Sequence, residues 1–420
     1  MLALHVLAVV VGAALVVVTM ADVVRRLVIP RARASALSRA VDAVVDRVFQ
    51  LVVRRLPDYE DKDRVLAGEP AMFLLMRLGV LLFAFEIEYA LLLWPWTDGF
   101  GTALREAGSS LFTLGFVASP GAVPTAINVL AAATGLVVVA LQIAYLPALY
   151  AAFNRRETEV TLLSSRAGLP PWGPELLLRT RYGVRTRTDD LPQFYAQWER
   201  WAADVAESHA NYPVLVRFRS PQPLSSWLVA LLAVMDSAAM LVALCPSRDR
   251  IEPRLAIRMG FTALREIGAA LGISHDPDPD PNGAIVLTFA EFAVAVDQLQ
   301  TVGFPMERTA AEAWPHFRGW RVNYETLAYE LAWRTDAVPA PWSGPRRWPT
   351  TPIPVRRPPT RTPDDTGATS PNPSDGSLLP RRQTWAEETR TSEEADSTRG
   401  NHERQQRPDN GEETTDGGPR

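Results

Sequence analysis

Three long apolar runs in the N-terminal part constrain the fold of this chain more than any other feature of its sequence. They cover residues 2–20, 70–94 and 123–150, and each contains only a few polar residues. A helix needs roughly 20 apolar residues to cross the hydrocarbon layer of a bilayer, so each run is long enough to span it. The first run lacks a preceding basic segment and is followed by one, which favours a membrane span over a secretory signal peptide.

The basic residues between the spans predict the orientation of the chain. Residues 23–69 carry many arginines, whereas the connection between the second and third spans holds Arg105 alone. Because Lys and Arg accumulate in cytoplasmic loops, the first loop is predicted to be cytoplasmic, and the N-terminus and second connection to lie outside. The sequence therefore predicts a multi-pass protein of the plasma membrane that contacts lipids and places its C-terminal half in the cytoplasm.

The first loop contains a predicted amphipathic helix. Its apolar residues share one helical face, away from most of its charges. They are Leu37, Val41, Val44, Val45, Val48 and Val52. Two interpretations remain open, because such a helix can lie on the cytoplasmic leaflet or pack against the protein's own cytoplasmic domain.

The stretch GSSLFTLGFVASPG, residues 108–121, lies between the second and third spans and is too short and too polar to cross a membrane. Non-helical backbone at membrane depth is tolerated only where protein or a water-filled cavity surrounds it. In cation filters, backbone carbonyls replace the hydration shell of the ion, and glycines allow successive carbonyls to point inward. The sequence therefore predicts a short helix and a re-entrant pore loop over residues 101–121.

The order of span, short helix, SLFTLGF and span resembles the pore module of potassium channels, whose filter reads Thr-x-Gly-Tyr/Phe-Gly-Asp. The matching filter positions are Ser110, Thr113, Leu114, Gly115, Phe116 and Val117. Gly135, in the third span, lies where the inner helix of that family carries a gating-hinge glycine. The resemblance implies a homo-oligomer, a tetramer in that family, with K⁺ or another monovalent cation as its partner.

Further segments resemble a narrower group, the potassium-channel-like membrane proteins of actinobacteria. That group is often named after two-pore-domain channels, although each chain carries one pore loop. The segments are LPALYAAFNRRE, NYPVLVRFRSP, WPHFRGWRVNYE and PAPWSGPRR, and the similarity covers residues 1–347. It implies an extra N-terminal span and a helical cytoplasmic domain.

Two positions of the predicted filter depart from the potassium-channel pattern. Val117 replaces the second glycine, and Ala118 replaces the acidic residue behind it. A β-branched residue in the left-handed conformation costs on the order of 1–2 kcal/mol, so the usual filter geometry is not expected at Val117. Three outcomes remain open: a weakly selective cation pore, an altered filter, or a non-conducting scaffold or sensor that acts through its cytoplasmic domain.

Two acids inside the second span, Glu86 and Glu88, are candidate functional residues. Intramembrane acids are rare and usually have a partner, for which Arg105 on the predicted short helix is the candidate. One interpretation is a proton- or cation-sensing acid behind the filter. The favoured one is a structural ion pair that braces the short helix.

Two segments of the C-terminal half call for separate interpretation. Residues 224–244 are apolar enough for a fourth span, but Asp236 lies near their centre and basic residues flank both ends, which favours a buried domain helix.

The stretch DPDPNGAI resembles the first half of a calcium-binding loop, with Asp278, Asp280 and Asn282 as weak ligand candidates. An acidic, solvated turn is favoured there, because the twelfth loop position is Phe rather than Glu.

Composition argues against an enzyme. The chain has one Cys and five scattered His, and it shows no nucleophile–base pair, phosphate-binding glycine loop or metal-ligand cluster, so no cofactor is expected.

Residues 348–420 are rich in Pro, Thr and mixed charge, which predicts a disordered tail, and their basic groups are too sparse for nucleic acid.

The sequence as a whole predicts an all-α membrane protein with three transmembrane helices and one re-entrant pore loop. Its predicted parts are a first span (1–22), a cytoplasmic loop (23–69), a pore module (70–155), a helical cytoplasmic domain (156–347) and the tail (348–420).

Overall fold

The computed structural model describes residues 2–27, 36–180, 190–248 and 250–357, and all regular secondary structure in these ranges is helical. The helices are α1 (Leu2–Leu27), α2 (Ala36–Val53), α3 (Tyr59–Leu66), α4 (Glu69–Leu93), α5 (Phe100–Leu111), α6 (Ala122–Ala167), α7 (Gly173–Arg179), α8 (Leu191–Asn211), α9 (Trp227–Leu244), α10 (Ile251–Ala270), α11 (Phe289–Thr301), α12 (Ala310–Arg321) and α13 (Glu325–Thr335). The predicted all-α class is confirmed for the part of the chain that the structure describes.

Four helices, α1, α4, α6 and α9, are long and apolar enough to cross a membrane. The first three leave most of their apolar surface exposed, since only 11%, 17% and 22% of the residues in their most apolar windows are buried. Helix α9 differs, because its window is 100% buried within the protein. The surrounding helices therefore leave α9 no surface for lipid, whereas α1, α4 and α6 present broad apolar faces.

Helices α1, α4, α5 and α6 share one apolar core. Phe85 and Tyr89 of α4, Leu111 of α5 and Val138 of α6 are all buried in it. Helix α6 contains 46 residues, and at 1.5 Å per residue it is about 69 Å long, more than twice the thickness of a bilayer's hydrocarbon core. Helix α6 also packs against α7, α8 and α9.

Helices α7 to α13 pack around α9 and form a second apolar core. A charged network crosses this core, because the fully buried Arg321 donates to Asp236 of α9 and, at 2.8 Å, to Glu325 of α13. Burial raises the pKa of the Asp236 carboxyl, and the adjacent Arg321 guanidinium opposes that rise. Pairing and hydrogen bonds thus make an acid near the centre of an apolar helix tolerable.

The structure describes residues 348–357, which the sequence assigns to the tail. These residues contact the helical domain: Arg356 exchanges backbone hydrogen bonds of 2.7 and 3.2 Å with Leu169, and the Ile353 amide donates to the Pro339 carbonyl oxygen at 2.7 Å. A Pro-rich segment without helical periodicity can be ordered in this way when its backbone groups find partners on an existing domain. Residues 358–420 of the predicted tail lie outside the described residues.

Candidate functional site

Helix α5 is held closely between α4 and α6. At Gly108, a Cβ atom would lie 2.7 Å from Oε1 of Glu86 on α4. At Gly135 of α6, a Cβ atom would lie 2.0 Å from the carbonyl oxygen of Leu111 at the end of α5. The contact at Gly135 requires glycine because it faces backbone, whereas at Gly108 the flexible end of the Glu86 side chain could move.

The amide groups of the loop after α5 point back toward that helix. The amides of Leu114 and Gly115 donate to the carbonyl oxygen of Ser109 at 2.8 and 3.2 Å. The amides of Phe116 and Val117 donate to the Ser109 hydroxyl oxygen at 2.9 and 3.3 Å. Because Ser109 is buried in the bundle, one serine fixes the course of residues 114–117.

The buried Glu106 holds the C-terminal end of the same loop. Its carboxylate accepts from the Ser119 amide at 2.7 Å, from the Ser119 hydroxyl at 2.6 Å and from the Asn128 side-chain amide at 2.7 Å. Asn128 of α6 in turn accepts from the Ser110 hydroxyl at 2.9 Å. Sequence reasoning did not select Glu106 or Ser109, although the polar Asn128 inside an apolar span was a signal that a polar partner lies nearby.

The carbonyl groups of residues 112–118 in this loop, unlike its amide groups, have no hydrogen-bond partner among the described residues. The side chains of Leu114 and Phe116 are 64% and 62% exposed. Residues 112–116 and 118 are exposed and Val117 is partly exposed, so water, an ion or another chain can reach this surface.

The predicted filter residues are brought together in one loop, but their roles differ. Thr113 and Gly115 have positive φ angles of 55° and 70°. Val117 does not occur among the residues with positive φ, so the backbone at the second filter position avoids the conformation that a β-branched residue disfavours. The Ser110 side chain points to α6 rather than to the exposed loop surface.

Glu86 and Glu88 of α4 have neighbours other than the predicted Arg105. Glu88 accepts a hydrogen bond of 2.6 Å from the Thr19 hydroxyl of α1, and its second carboxylate oxygen is buried without a partner. Glu86 lies against Gly108. Arg105 is exposed, and no ion pair among the described residues joins it to either acid. Since successive residues of a helix differ by 100°, the inward orientation of its neighbour Glu106 turns Arg105 away from the core.

Gly135 serves a packing contact in this structure. Helix α6 continues through it without interruption, and its lack of a side chain accommodates the Leu111 carbonyl. The residue in α6 that removes a helical hydrogen bond is Pro147. A hinge at Gly135 stays a prediction from the resemblance.

The calcium-loop candidates do not converge on a metal-binding centre. The Asp280 carboxylate accepts from the Asn282 backbone amide at 2.9 Å, and Oδ1 of the Asn282 side chain accepts from Arg318 at 3.1 Å. Glu291, the nearest later glutamate, caps the start of α11 together with Thr288. Among the described residues, no group of three or more His, Cys, Asp or Glu could hold a metal ion.

A buried arginine joins α6 to the C-terminal helical domain. Arg156 donates to the carbonyl oxygens of Leu215 and Phe218 at 2.8 and 2.7 Å, and its Nη1 lies 2.9 Å from Nε2 of His209. Burial, together with the charge of Arg156, lowers the pKa of His209 well below its ordinary value. His209 is therefore neutral at physiological pH and accepts from Arg156.

No family model, curated protein or solved structure matches this chain. Its function is inferred from the sequence pattern and from the geometry of the α5 loop.

Proposed function

We propose that this chain is an integral membrane protein that contributes one pore loop to an oligomeric cation pore. In this proposal, α1, α4 and α6 cross the membrane, and α5 with residues 112–121 re-enters from the outside. The N-terminus lies outside, and α7 to α13 form a cytoplasmic domain. The resemblance of SLFTLGF to potassium-channel filters supports this arrangement.

The observation that carries the proposal is the polarity of the loop backbone. The amides of residues 114–117 are bound to Ser109, whereas the carbonyl oxygens of residues 112–118 have no hydrogen-bond donor in the described chain. Carbonyl oxygens presented in a row are the groups that replace the hydration shell of a monovalent cation. A loop that binds its own amides and leaves its carbonyls unpaired is suited to this task.

One such loop cannot enclose an ion path, so the proposal requires a homo-oligomer, with four copies by resemblance. The exposed Leu114 and Phe116 side chains would be buried between copies. Because Val117 does not adopt the left-handed conformation, the carbonyls near it are not arranged as in a potassium filter. We therefore expect conduction with weak discrimination between K⁺ and Na⁺.

Ion flux into liposomes that contain the purified protein tests this proposal. We expect K⁺ and Na⁺ flux above that of empty liposomes, and a higher K⁺/Na⁺ ratio for Val117→Gly. Val286→Gly, at an exposed loop position after α10, is the matched control and should leave the ratio unchanged. An unchanged ratio in Val117→Gly would exclude residue 117 from the ion path.

A second candidate function is favoured by Val117 itself and by the buried attachment of α6 to the cytoplasmic domain through Arg156. This candidate is a non-conducting scaffold or sensor that keeps the pore architecture. It predicts no flux from the native protein or from Val117→Gly, although both remain folded and oligomeric.

A further inference from the structure

Helix α2 has two differently occupied faces. On one, Val41 and Val45 pack with Phe73 of α4 in a small apolar cluster. Arg77 of α4 also forms a bidentate ion pair with Asp42 of α2. Helix α2 is therefore attached along the N-terminal half of α4.

The polar side of α2 contacts the C-terminal domain. Asp46 accepts from Arg217 at 3.0 Å and from Arg347 at 3.1 Å. The Trp348 indole donates to Gln50 at 3.3 Å. Packing on the protein's own domain, one of the two interpretations of the sequence, thus describes this side of the helix.

The rest of the apolar face that carries Val41 and Val45 is exposed. Its residues follow the i, i+4, i+7 and i+8 spacing of one helical face, and each is 48–61% exposed. They are Val44, Val48, Leu51 and Val52, the apolar stripe of α2. Met72, Leu75 and Met76 of α4 are also exposed, and they lie in the segment of α4 that contacts α2 through Phe73 and Arg77.

Basic residues accompany the stripe. Arg47 and Arg55 of the α2 segment are exposed, and Arg54 lies over the Trp348 ring at 5.0 Å. On a helix with 100° between residues, Arg47 falls at the edge of the stripe, and Arg55 follows the end of α2 at Val53. An apolar stripe with arginines at its border has the chemistry of a membrane surface that carries anionic headgroups.

We infer that α2 lies in the cytoplasmic leaflet interface, with its valine and leucine stripe among the acyl chains and Arg47 and Arg55 on anionic headgroups. Its opposite contacts, from Asp42 to Arg77 and from Asp46 to Arg217, connect this lipid-bound helix to α4 and to the cytoplasmic domain. The lipid composition of the leaflet would thereby act on both parts of the protein. The inference requires membrane insertion but not conduction.

Spin labels at two exposed positions of α2 test the depth of the helix in liposomes of phosphatidylcholine with phosphatidylglycerol. The label on Val48→Cys should be accessible to oxygen and protected from a water-soluble relaxation agent, whereas that on Ala43→Cys, on the polar side, should show the reverse. The only native cysteine, Cys245, is buried and does not compete for the label. Equal aqueous accessibility at both positions would overturn the inference. Strong dipolar broadening at Val48→Cys would place the stripe between protein copies and overturn it as well.

Nitroxide-labelled lipids test the headgroup contact. The preference of the full-length protein for labelled phosphatidylglycerol over labelled phosphatidylcholine should fall by up to about fivefold for each of Arg47→Gln and Arg55→Gln, which corresponds to about 1 kcal/mol per basic residue. Arg258→Gln, at an exposed position of α10 in the C-terminal domain, should leave the preference unchanged. An undiminished preference in the α2 variants would overturn the headgroup contact. Neither readout depends on ion flux, so these outcomes are independent of the pore proposal.

Discussion

Replacement of Glu106 by Gln is expected to release the loop after α5. The carboxylate accepts from the Ser119 amide, the Ser119 hydroxyl and the Asn128 side chain, all at 2.6–2.7 Å. A glutamine of the same shape keeps one acceptor oxygen but introduces an NH₂ group. One of the three donors then loses its acceptor, and the others lose the negative charge that strengthens their bonds.

The size of the effect follows from these bonds. Hydrogen bonds to a charged acceptor are about twice as strong as neutral ones, about 2 against about 1 kcal/mol net. One bond is lost at about 2 kcal/mol and the other two weaken by about 1 kcal/mol each, so the loop loses about 4 kcal/mol, which corresponds to a rise of roughly a thousandfold in its open population. Helix α5 itself packs closely against α4 near Gly108 and against α6 near Gly135, so we expect the bundle to remain folded.

Hydrogen–deuterium exchange of the full-length protein in nanodiscs measures this opening. In Glu106→Gln, peptides that cover residues 114–121 should exchange roughly a thousandfold faster when the loop closes faster than its open amides exchange, while peptides from α4 and α9 keep their rates. Glu266→Gln, at an exposed glutamate of α10, is the matched control. If the loop of Glu106→Gln exchanges within about twofold of the native rate, Glu106 does not hold it and the reasoning is refuted.

Three further predictions concern the packing and the buried charges. Gly135→Ala places a methyl group 2.0 Å from the Leu111 carbonyl oxygen, and it should lower the thermal unfolding midpoint through a loss of about 1–3 kcal/mol. His209 has a depressed pKa in the folded state, so its contribution is full above its unfolded value of about 6.5 and is lost as pH falls below it. The pH dependence of unfolding below neutrality, at most about 1.4 kcal/mol per pH unit, should therefore diminish in His209→Gln. Arg321→Met leaves buried carboxylates without their cation, and it should cost about 3–5 kcal/mol in chemical denaturation.

Matched variants separate these effects from general perturbation. Gly79→Ala on α4 meets nothing within 4 Å and should leave the midpoint unchanged. His316→Gln, at an exposed position, should keep the native pH dependence. Arg334→Met removes a half-exposed ion pair with Glu330 and should cost less than about 1 kcal/mol. Equal effects in a variant and its control would contradict the corresponding mechanism.

The helices could be predicted where apolar periodicity is long and its ends are marked. The first three apolar runs coincide with α1, α4 and the N-terminal part of α6, and residues 224–244 with α9. The central Asp236 correctly indicated that α9 is enclosed by protein, because such an acid needs a buried partner. The pattern of α2 left two interpretations open, packing on the membrane surface or on the protein's own domain. One helix can do both, because its apolar and polar faces can have different partners.

Tertiary contacts were the part that the sequence did not reveal. Glu106 is one acid among the charged residues of a short amphipathic helix, and only the fold places it beside Ser119 and Asn128. Arg105, one residue away, was chosen as a partner because it is the only cation in its segment, yet its direction is set by the helix. Residues 348–357 have a composition typical of disorder, and their order depends on the surface that receives them.

The central claim is that residues 112–118 of several copies face one another across an ion path. Disulfide formation in membranes that contain Phe116→Cys tests it most directly, with Leu7→Cys on the exposed side of α1 as control. Because Cys245 is buried, the native protein provides the background. We predict covalent dimers for Phe116→Cys and none for Leu7→Cys or the native protein. Phe116→Cys chains that stay monomeric under the same oxidation would contradict the claim.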